Sequence, residues 1–493
     1  MKKNSKTALA LSLGLVLGAT APAFAQPAVN LTLKDAIRMA FEKNLDLKVE
    51  LYNPAMAEAD IRRNLGIYDP KLTLGVNYER SNSSNILTFR PQPVDQVTAS
   101  AGVSQLLPTG TVVGVTAQSG WISNSAKYYS NAIDLSLSQP LLKGFGQENT
   151  ELAINVSRFT KGETMNVFRT RLSDTVARVR NDYFQLYNLL EVLEVRRTSL
   201  ALARRILQDD QGRVKAGVLP AYELLNSEFQ VATREKQVID AERAVRDQMD
   251  VLRVELQLPQ DAEIVLADQP YRGNFNILEQ QALNDALENR TELATQRDVI
   301  TINDLQQRVA KNQTLPDLTL NASVGTGGFD RRFLGGLEKT ATIDEPSWGV
   351  GLQFSYPLGN RSAENDYIRK KLALEQAQTQ LQNLESTVVR DVKAALRLVA
   401  ASYTQLDVTA RGTAYAQDRL RAFQKRHDVG LATTKDVFDV ENDLVTAKGN
   451  QIQALVDYNN SITQLWRVTG MILDQEGINV TETQADHLYQ NMK

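Results

Sequence analysis

The sequence predicts a mainly α-helical exported chain built as an internal twofold repeat, with long coiled-coil hairpins joined to a smaller set of strands suited to a membrane β-barrel. Three observations predict it. RHDVGLATTKDVFDVE at 426–441 repeats the pattern of RVKAGVLPAYELLNSE at 213–228, with Gly217 and Gly430 in register. Apolar residues step by three and four over long stretches leading to each glycine, the spacing of a coiled-coil seam. Shorter segments alternate with a period of two, which puts the apolar side chains of a strand on one face.

Lys2, Lys3 and Lys6, an apolar run from Ala8 to Ala19 and the small residues around Ala23 and Ala25 make residues 1–25 a secretory signal peptide, cut before Gln26. The run is short for a spanning helix, and no later stretch reaches the roughly 18 apolar residues that one needs. Any membrane crossing therefore falls to strands, whose backbone groups must close into a barrel. Net charge is −3, and −6 without the three leader lysines. With no basic cluster, nucleic acid is excluded as a partner. Cysteine is absent, so packing or assembly must hold the exported chain together.

The repeat places a first unit at 26–270, a second at 271–482 and a polar, loose tail at 483–493. AFEKNLDL at 40–47 answers ALENRTEL at 286–293, Pro70 stands opposite Pro316, and SQPLLKGFGQ around Pro140 answers SYPLGNRSAE around Pro357. Each unit opens with an amphipathic helix, 31–67 and 277–313, stopped ahead of its proline because the residue before proline is pushed toward extended geometry. Strands follow. Ile133, Leu135 and Leu137 alternate in one unit, and Trp348, Val350, Leu352, Phe354 and Tyr356 in the other, with aromatics at the ends as in a headgroup-level girdle. A soluble sandwich shares that alternation.

An additional hairpin is expected at 97–119, turned by Pro108 and Gly110 and placed either in the barrel or outside it. The polar stretches 81–96 and 325–346 read as water-facing loops. Then come the long helices. Leu172, Val176, Val179, Tyr183, Leu186, Leu190 and Leu193 form one seam, and Val392, Leu396, Val399, Tyr403 and Leu406 the other. The first, about 148–214, spans roughly 100 Å at 1.5 Å per residue. Beyond each glycine tip the chain returns as a second helix, whose polar members Gln451 and Ser461 suit a partly wet face. Both returns end in short extended pieces, 263–268 and 478–482.

Chemistry is sparse. The chain has two histidines, His427 and His487, and no zinc-protease, paired-cysteine or Walker pattern. Gly144 and Gly146 begin a dinucleotide-type motif, but Asn149 stands where its third glycine belongs, so this is a strand-to-helix turn. No enzymatic activity and no cofactor are expected. The long helices expose more surface than one hairpin covers, and about four strong strands are too few to close a barrel. Symmetric assembly answers both, as a barrel at one end and a tube of helices at the other.

Over nearly the whole mature chain the duplicated layout, the strand pairs after Pro70 and Pro316 and the tip segments AGVLPAYEL and VGLATTKDVFD resemble the TolC-like outer-membrane efflux proteins, or outer membrane factors. The resemblance implies a homotrimer with a shared barrel in outer-membrane lipid and a periplasmic helical tunnel. It also implies a tripartite efflux or type I secretion system, in which a periplasmic adaptor (membrane fusion protein) links the duct to an inner-membrane pump or secretion ATPase. Gly217, Val218, Leu219, Gly430, Leu431, Ala432 and His427 then form the tip and its adaptor contact. Asp436 and Asp439 match an aspartate ring that narrows the tip, with Glu223 equivalent in the first unit. Crowded carboxylates attract cations, so divalent block is expected at Asp436 and Asp439, with no resident metal. His427 replaces the family's latch tyrosine and Ala432 its arginine, which leaves Lys435 as a substitute.

A plainer reading competes at the same residues. Thr433 with Asp436 is a capping box, Pro220 fits a first helical position and acids in a first turn suit the helix dipole. At the level of the whole chain, an exported coiled-coil scaffold or adhesin accounts for the heptads but not for the strand pairs. The long helices argue against a porin.

Overall fold

The computed structural model describes residues 28–84, 91–123, 127–481 and 483–492; the expected signal peptide lies outside them. The chain opens with β1 (Ala28–Leu31), α1 (Leu33–Lys43) and α2 (Leu45–Leu65). The single helix expected at 31–67 is broken at Asn44. There the side-chain oxygen caps α2 by accepting from Leu47 N at 3.2 Å, while Nδ2 donates to Glu255 O at 3.1 Å. That tertiary bond fixes the break. Four strands follow: β2 (Lys71–Ser84), β3 (Pro91–Leu106), β4 (Val112–Ser123) and β5 (Lys127–Pro140). Gly144 and Gly146, at φ +78° and +94°, turn the chain from strand to helix as expected.

α3 (Gln147–Thr150) leads into α4 (Leu152–Lys215), 64 residues long, and α5 (Ala221–Leu256) returns antiparallel to it. β6 (Glu263–Leu266) pairs in parallel with β1, closing the first unit on itself. The second opens with α6 (Glu279–Asn289) and α7 (Thr291–Gln313), again two helices where 277–313 suggested one. It continues through β7 (Asp317–Asp330), α8 (Phe333–Ala341), β8 (Glu345–Ser355), α9 (Arg361–Asp428) and α10 (Thr434–Val468), and ends in α11 (Ile472–Gln475) and α12 (Thr483–Asn491).

The strands form one antiparallel sheet of order β2-β3-β4-β5-β7-β8. The hairpin at 97–119 lies within it, between β2 and β5, so the chain supplies six strands where about four were expected. The stretch 81–96 is not a loop: β2 runs on to Ser84 and β3 starts at Pro91, with 85–90 outside the described residues. Nor is 325–346, where β7 continues to Asp330 and α8 follows. The first misled because its strand ends are largely polar, the second because paired glycines sit inside its helix.

The register makes the two faces explicit. One row across all six strands reads Leu72, Val103, Val115, Leu135, Val324, Trp348, and each of these side chains is exposed. The adjacent row, on the opposite face, reads Thr73, Gly102, Thr116, Asp134, Gly325, Ser347. An outward apolar band and a polar inner face are what a membrane barrel requires.

The first seam is a true core. Leu172, Val176, Val179, Tyr183 and Leu186 are buried, and Tyr183 OH donates to Leu31 O and accepts from Asp268 N, both at 3.0 Å. The second departs from expectation. Ser402 is buried, while Tyr403 turns outward, its ring 5.5 Å from that of Tyr458. Tyr458, on the return helix, is the buried tyrosine here, donating to Gly273 O at 2.7 Å and accepting from Phe275 N at 2.9 Å. Ser461 is buried too, its hydroxyl satisfied by Tyr458 O at 2.7 Å, so that part of the return helix is dry.

No strand forms at 478–481, and the expected loose tail is instead α12, packed on α2. Ala485 is fully buried there, and Lys161 on α4 reaches Asp486 at 2.7 Å and Glu58 at 3.1 Å. A polar composition concealed this helix because its anchor is an ion pair made 325 residues away.

Candidate functional site: the helical tips

Both hairpins turn by the same bonding. After α4, Gly217 takes φ +72°, Val218 N donates to Arg213 O at 2.9 Å and Gly217 N to Val214 O at 3.0 Å. After α9, Gly430 takes φ +76°, Leu431 N donates to Arg426 O at 2.8 Å and Gly430 N to His427 O at 3.0 Å. This pair of bonds closes a helix C-terminus through a left-handed residue, where a β-carbon would be strained. Val218 and Leu431 are thereby held out into solvent, with Leu219 and Ala432 half-buried beside them.

The exits from the two turns differ. Pro220 stands just ahead of α5, one position before the first-turn place expected for it, and makes no side-chain cap. α10 begins with the full capping box. Thr433 Oγ1 accepts from Asp436 N at 3.2 Å, and Asp436 Oδ2 accepts from Thr433 N at 2.9 Å and from its hydroxyl at 2.7 Å. Those bonds, the backbone one foremost, hold the Asp436 carboxyl below the usual range. Asp439, one turn further along α10, is exposed, and its carboxylate takes Lys435 Nζ at 2.6 Å. Lys435 is thus a partner of the acidic pair on its own helix. Glu223 lies on the other hairpin, bonded to Asn226 Nδ2 at 3.0 Å. Asp436 and Asp439 therefore share one helical turn, and Glu223 does not join them within a single chain. Among the described residues no group of three or more His, Cys, Asp or Glu could hold a metal ion.

His427 is buried between the hairpins. Its Nε2 lies 3.2 Å from Arg213 Nη1 and 3.2 Å from Thr434 Oγ1. An arginine can only donate, so Nε2 accepts and the ring is neutral. Burial first, then the Arg213 guanidinium, keeps its pKa below the ordinary histidine value. Beside it the fully buried Asp210 accepts from Ser227 Oγ at 2.5 Å and from Thr434 Oγ1 at 3.3 Å. Further from the tip, Arg234 of α5 and Glu441 of α10, both nearly inaccessible, form an ion pair at 2.5 Å. Arg234 also donates to Ser199 Oγ at 3.1 Å and stacks 4.7 Å above the Phe438 ring. Beyond this bolt, on the side away from the tip, the hairpins part around a cleft of about 920 Å³ lined by Glu194, Tyr403, Asp407 and Lys448.

Sequence reasoning missed Asp210, Ser227, Arg234 and Thr434. Only one signal could have found them: Glu441 falls on the buried face of α10, where a carboxylate needs a partner.

A family model described as "Outer membrane efflux protein" matches residues 36–254 and 282–471. The chain belongs to the outer membrane efflux protein family. This is a channel and transport family rather than an enzyme family, and its proteins sit in the outer membrane, as this chain does. Among curated relatives it is similar to "Outer membrane protein TolC" of Escherichia coli, 25% identical over 316 residues, which span 60% of this chain and 61% of that protein. "Outer membrane efflux protein BepC" of Brucella suis is 22% identical over 370 residues, spanning 74% of this chain and 77% of that one. In fold, the chain is similar to the Campylobacter jejuni CmeC outer membrane channel, with TM-score 0.65, 16% identity and coverage of 93% and 89% of the two chains. It is similar also to VceC of Vibrio cholerae, with TM-score 0.66, 15% identity and coverage of 89% and 96%.

Proposed function

We propose that three copies of this chain form an exit duct across the periplasm and the outer membrane, opened at the helical tips by a periplasmic adaptor that couples it to an inner-membrane pump or secretion ATPase. The observation that carries this reading is the sheet, whose outermost strands, β2 and β8, each leave one edge unpaired among the described residues although the outward row from Leu72 to Trp348 is apolar. An open edge is not tolerated in lipid, so copies must pair edge to edge. The helices support assembly as well, since Tyr222, Leu225 and Phe229 of α5 expose their side chains by 65%, 65% and 69%. Three six-stranded sheets make a barrel about 36 Å across, from about 4.8 Å per strand and a tilt near 40°.

At the opposite end Asp436 and Asp439, repeated about the threefold axis, form the acidic constriction, and Val218 and Leu431 present the apolar contacts of the adaptor. Asp439 is the more telling of the two acids, because the cap already occupies Asp436.

Single-channel conductance in a planar bilayer, with divalent cations titrated from the tip side, tests duct and gate together. A small, cation-selective conductance is expected, blocked by divalents and enlarged several-fold by Asp436→Ala with Asp439→Ala. A wide pore indifferent to divalents would reduce both acids to helix caps. A folded protein that never conducts, with or without adaptor, would favour the scaffold reading. Export that proceeds without an adaptor would mean a passive pore.

A further inference from the structure

Where the sequence suggested a water-facing loop, α8 lies against the apolar face of the sheet. Its seat is built from small residues. A β-carbon on Gly336 would come within 2.8 Å of Asn131 Nδ2, and one on Gly328 within 2.1 Å of Gly336 O, so helix and strand backbones touch where only glycine fits. Thr340, 2% exposed, donates to Asn131 O at 3.1 Å, and the Phe333 ring meets Tyr129 edge-on at 5.9 Å. Tyr129 and Asn131 precede Ile133, Leu135 and Leu137 in steps of two, so the helix covers the same face as the apolar row.

Away from its seat α8 exposes Phe333, Leu334 and Leu337 by 45%, 73% and 46%, beside one exposed acid, Glu338, which an interfacial helix turns toward the headgroups. Its one lysine is engaged at the strand end, where Lys339 Nζ donates to Phe329 O at 3.0 Å and lies 3.5 Å from Asp330. Between helix and sheet runs a trough of about 510 Å³, lined by Leu74, Ala101, Ile133, Phe333 and Leu337. Height is fixed by register. Tyr78, Trp121 and Tyr129 share one row near the strand ends remote from the hairpins, and Asn131, under α8, is the next residue on that face.

We propose that α8 is an interfacial helix seated in the outer leaflet of the outer membrane, its Phe333, Leu334 and Leu337 among acyl chains that also fill the trough. The inference rests on the apolar face being the lipid face. Three large apolar side chains on a helix fastened to that face continue the lipid-exposed band. A loop in water would have no use for them.

The absence of native cysteine makes the test direct. Nitroxides are attached singly at Leu334→Cys and Leu337→Cys in the full-length protein, reconstituted in phosphatidylcholine vesicles. Leu135→Cys serves as lipid-face control and Thr116→Cys as control for the polar face. Collision with dissolved oxygen, which concentrates in lipid, is compared with collision with a water-soluble nickel chelate. Variants are accepted only if they keep the circular dichroism spectrum and thermal midpoint of the unlabelled protein. Oxygen-dominated relaxation at 334 and 337, matching 135 and several-fold above 116, is expected. Nickel-dominated relaxation at 334 and 337 alone overturns the proposal and restores the loop. Shielding from both reagents also overturns it, because another copy would then cover the helix. Nickel dominance at 135 as well would instead sink the barrel reading on which the proposal stands.

Discussion

Glu441→Ala is expected to loosen the two hairpins from each other and to cost about 3–5 kcal/mol per chain, the usual penalty for stranding a buried charge. Arg234 would keep Ser199, Gln230 and Asn442 but lose its ion-pair partner, in a site where its side chain is 3% exposed. The bolt joins α5 to α10, and those helices touch little elsewhere. The tip should therefore become a protease target. Trypsin cleavage after Arg213 or Lys215 is expected to speed up markedly in Glu441→Ala, and the thermal midpoint to fall. Replacing both Arg234 and Glu441 by methionine should recover most of the loss, since an apolar pair of similar bulk leaves no charge unpaired. Equal cleavage rates for wild type and Glu441→Ala would show that the hairpins are held by something else.

Glu255→Gln is expected to act in the opposite sense and only at higher pH. Glu255 closes α5 with one carboxylate oxygen buried and without a hydrogen-bond partner among the described residues, and its nearest cation, Arg178, is 3.7 Å away and half exposed. Burial, with the Asp182 carboxylate adding to it, pushes its pKa up to about 7 from an ordinary 4.5. The folded state thus binds a proton that the unfolded chain releases between those two values. Stability is unaffected below about 4.5, falls as pH rises toward 7 and stays reduced above it. Glutamine carries no charge to penalise. At pH 8 the variant should gain about 1–2 kcal/mol, a shift discounted for the water that reaches the Arg178 side, and near pH 5 it should match wild type. Thermal midpoints at the two pH values check this. A gain that persists unchanged at pH 5 would trace the effect to packing rather than to charge.

What could be read in the sequence was whatever repeats within a few residues of itself. The first seam from Leu172 to Leu186, the left-handed glycines at 217 and 430 and the Thr433–Asp436 box are local patterns, and each is found where its spacing put it. What could not be read depends on a distant partner. Glu441 ends the repeated tip segment opposite Glu228, yet Arg234 lies 207 positions away and no periodicity links them. Tyr403 occupies the repeat position of Tyr183, but Tyr458, arriving from α10, takes the buried place. α8 looked like a loop because Gly335 and Gly336 break helices in isolation; the contacts that make them useful, Gly335 with Asp330 and Gly336 with Gly328, exist only after the sheet has formed. The strands at 81–84 and 91–96 were hidden because beyond the Tyr78 row the outward face turns polar too, with Arg80 paired to Asp95 and Asn82 two residues on, so the alternation is lost.

In the proposed duct, the polar face of the sheet would also decide where resistance to flow resides. The row Thr73, Gly102, Thr116, Asp134, Gly325, Ser347 carries little bulk, and six strands from each of three copies would set a broad bore. Barrel and tip are conductors in series, and in a series circuit the narrow element takes nearly all the voltage drop. Substitutions along the barrel wall are therefore almost silent in a conductance trace, however many of them accumulate. A change of one side chain at the tip is read at full amplitude.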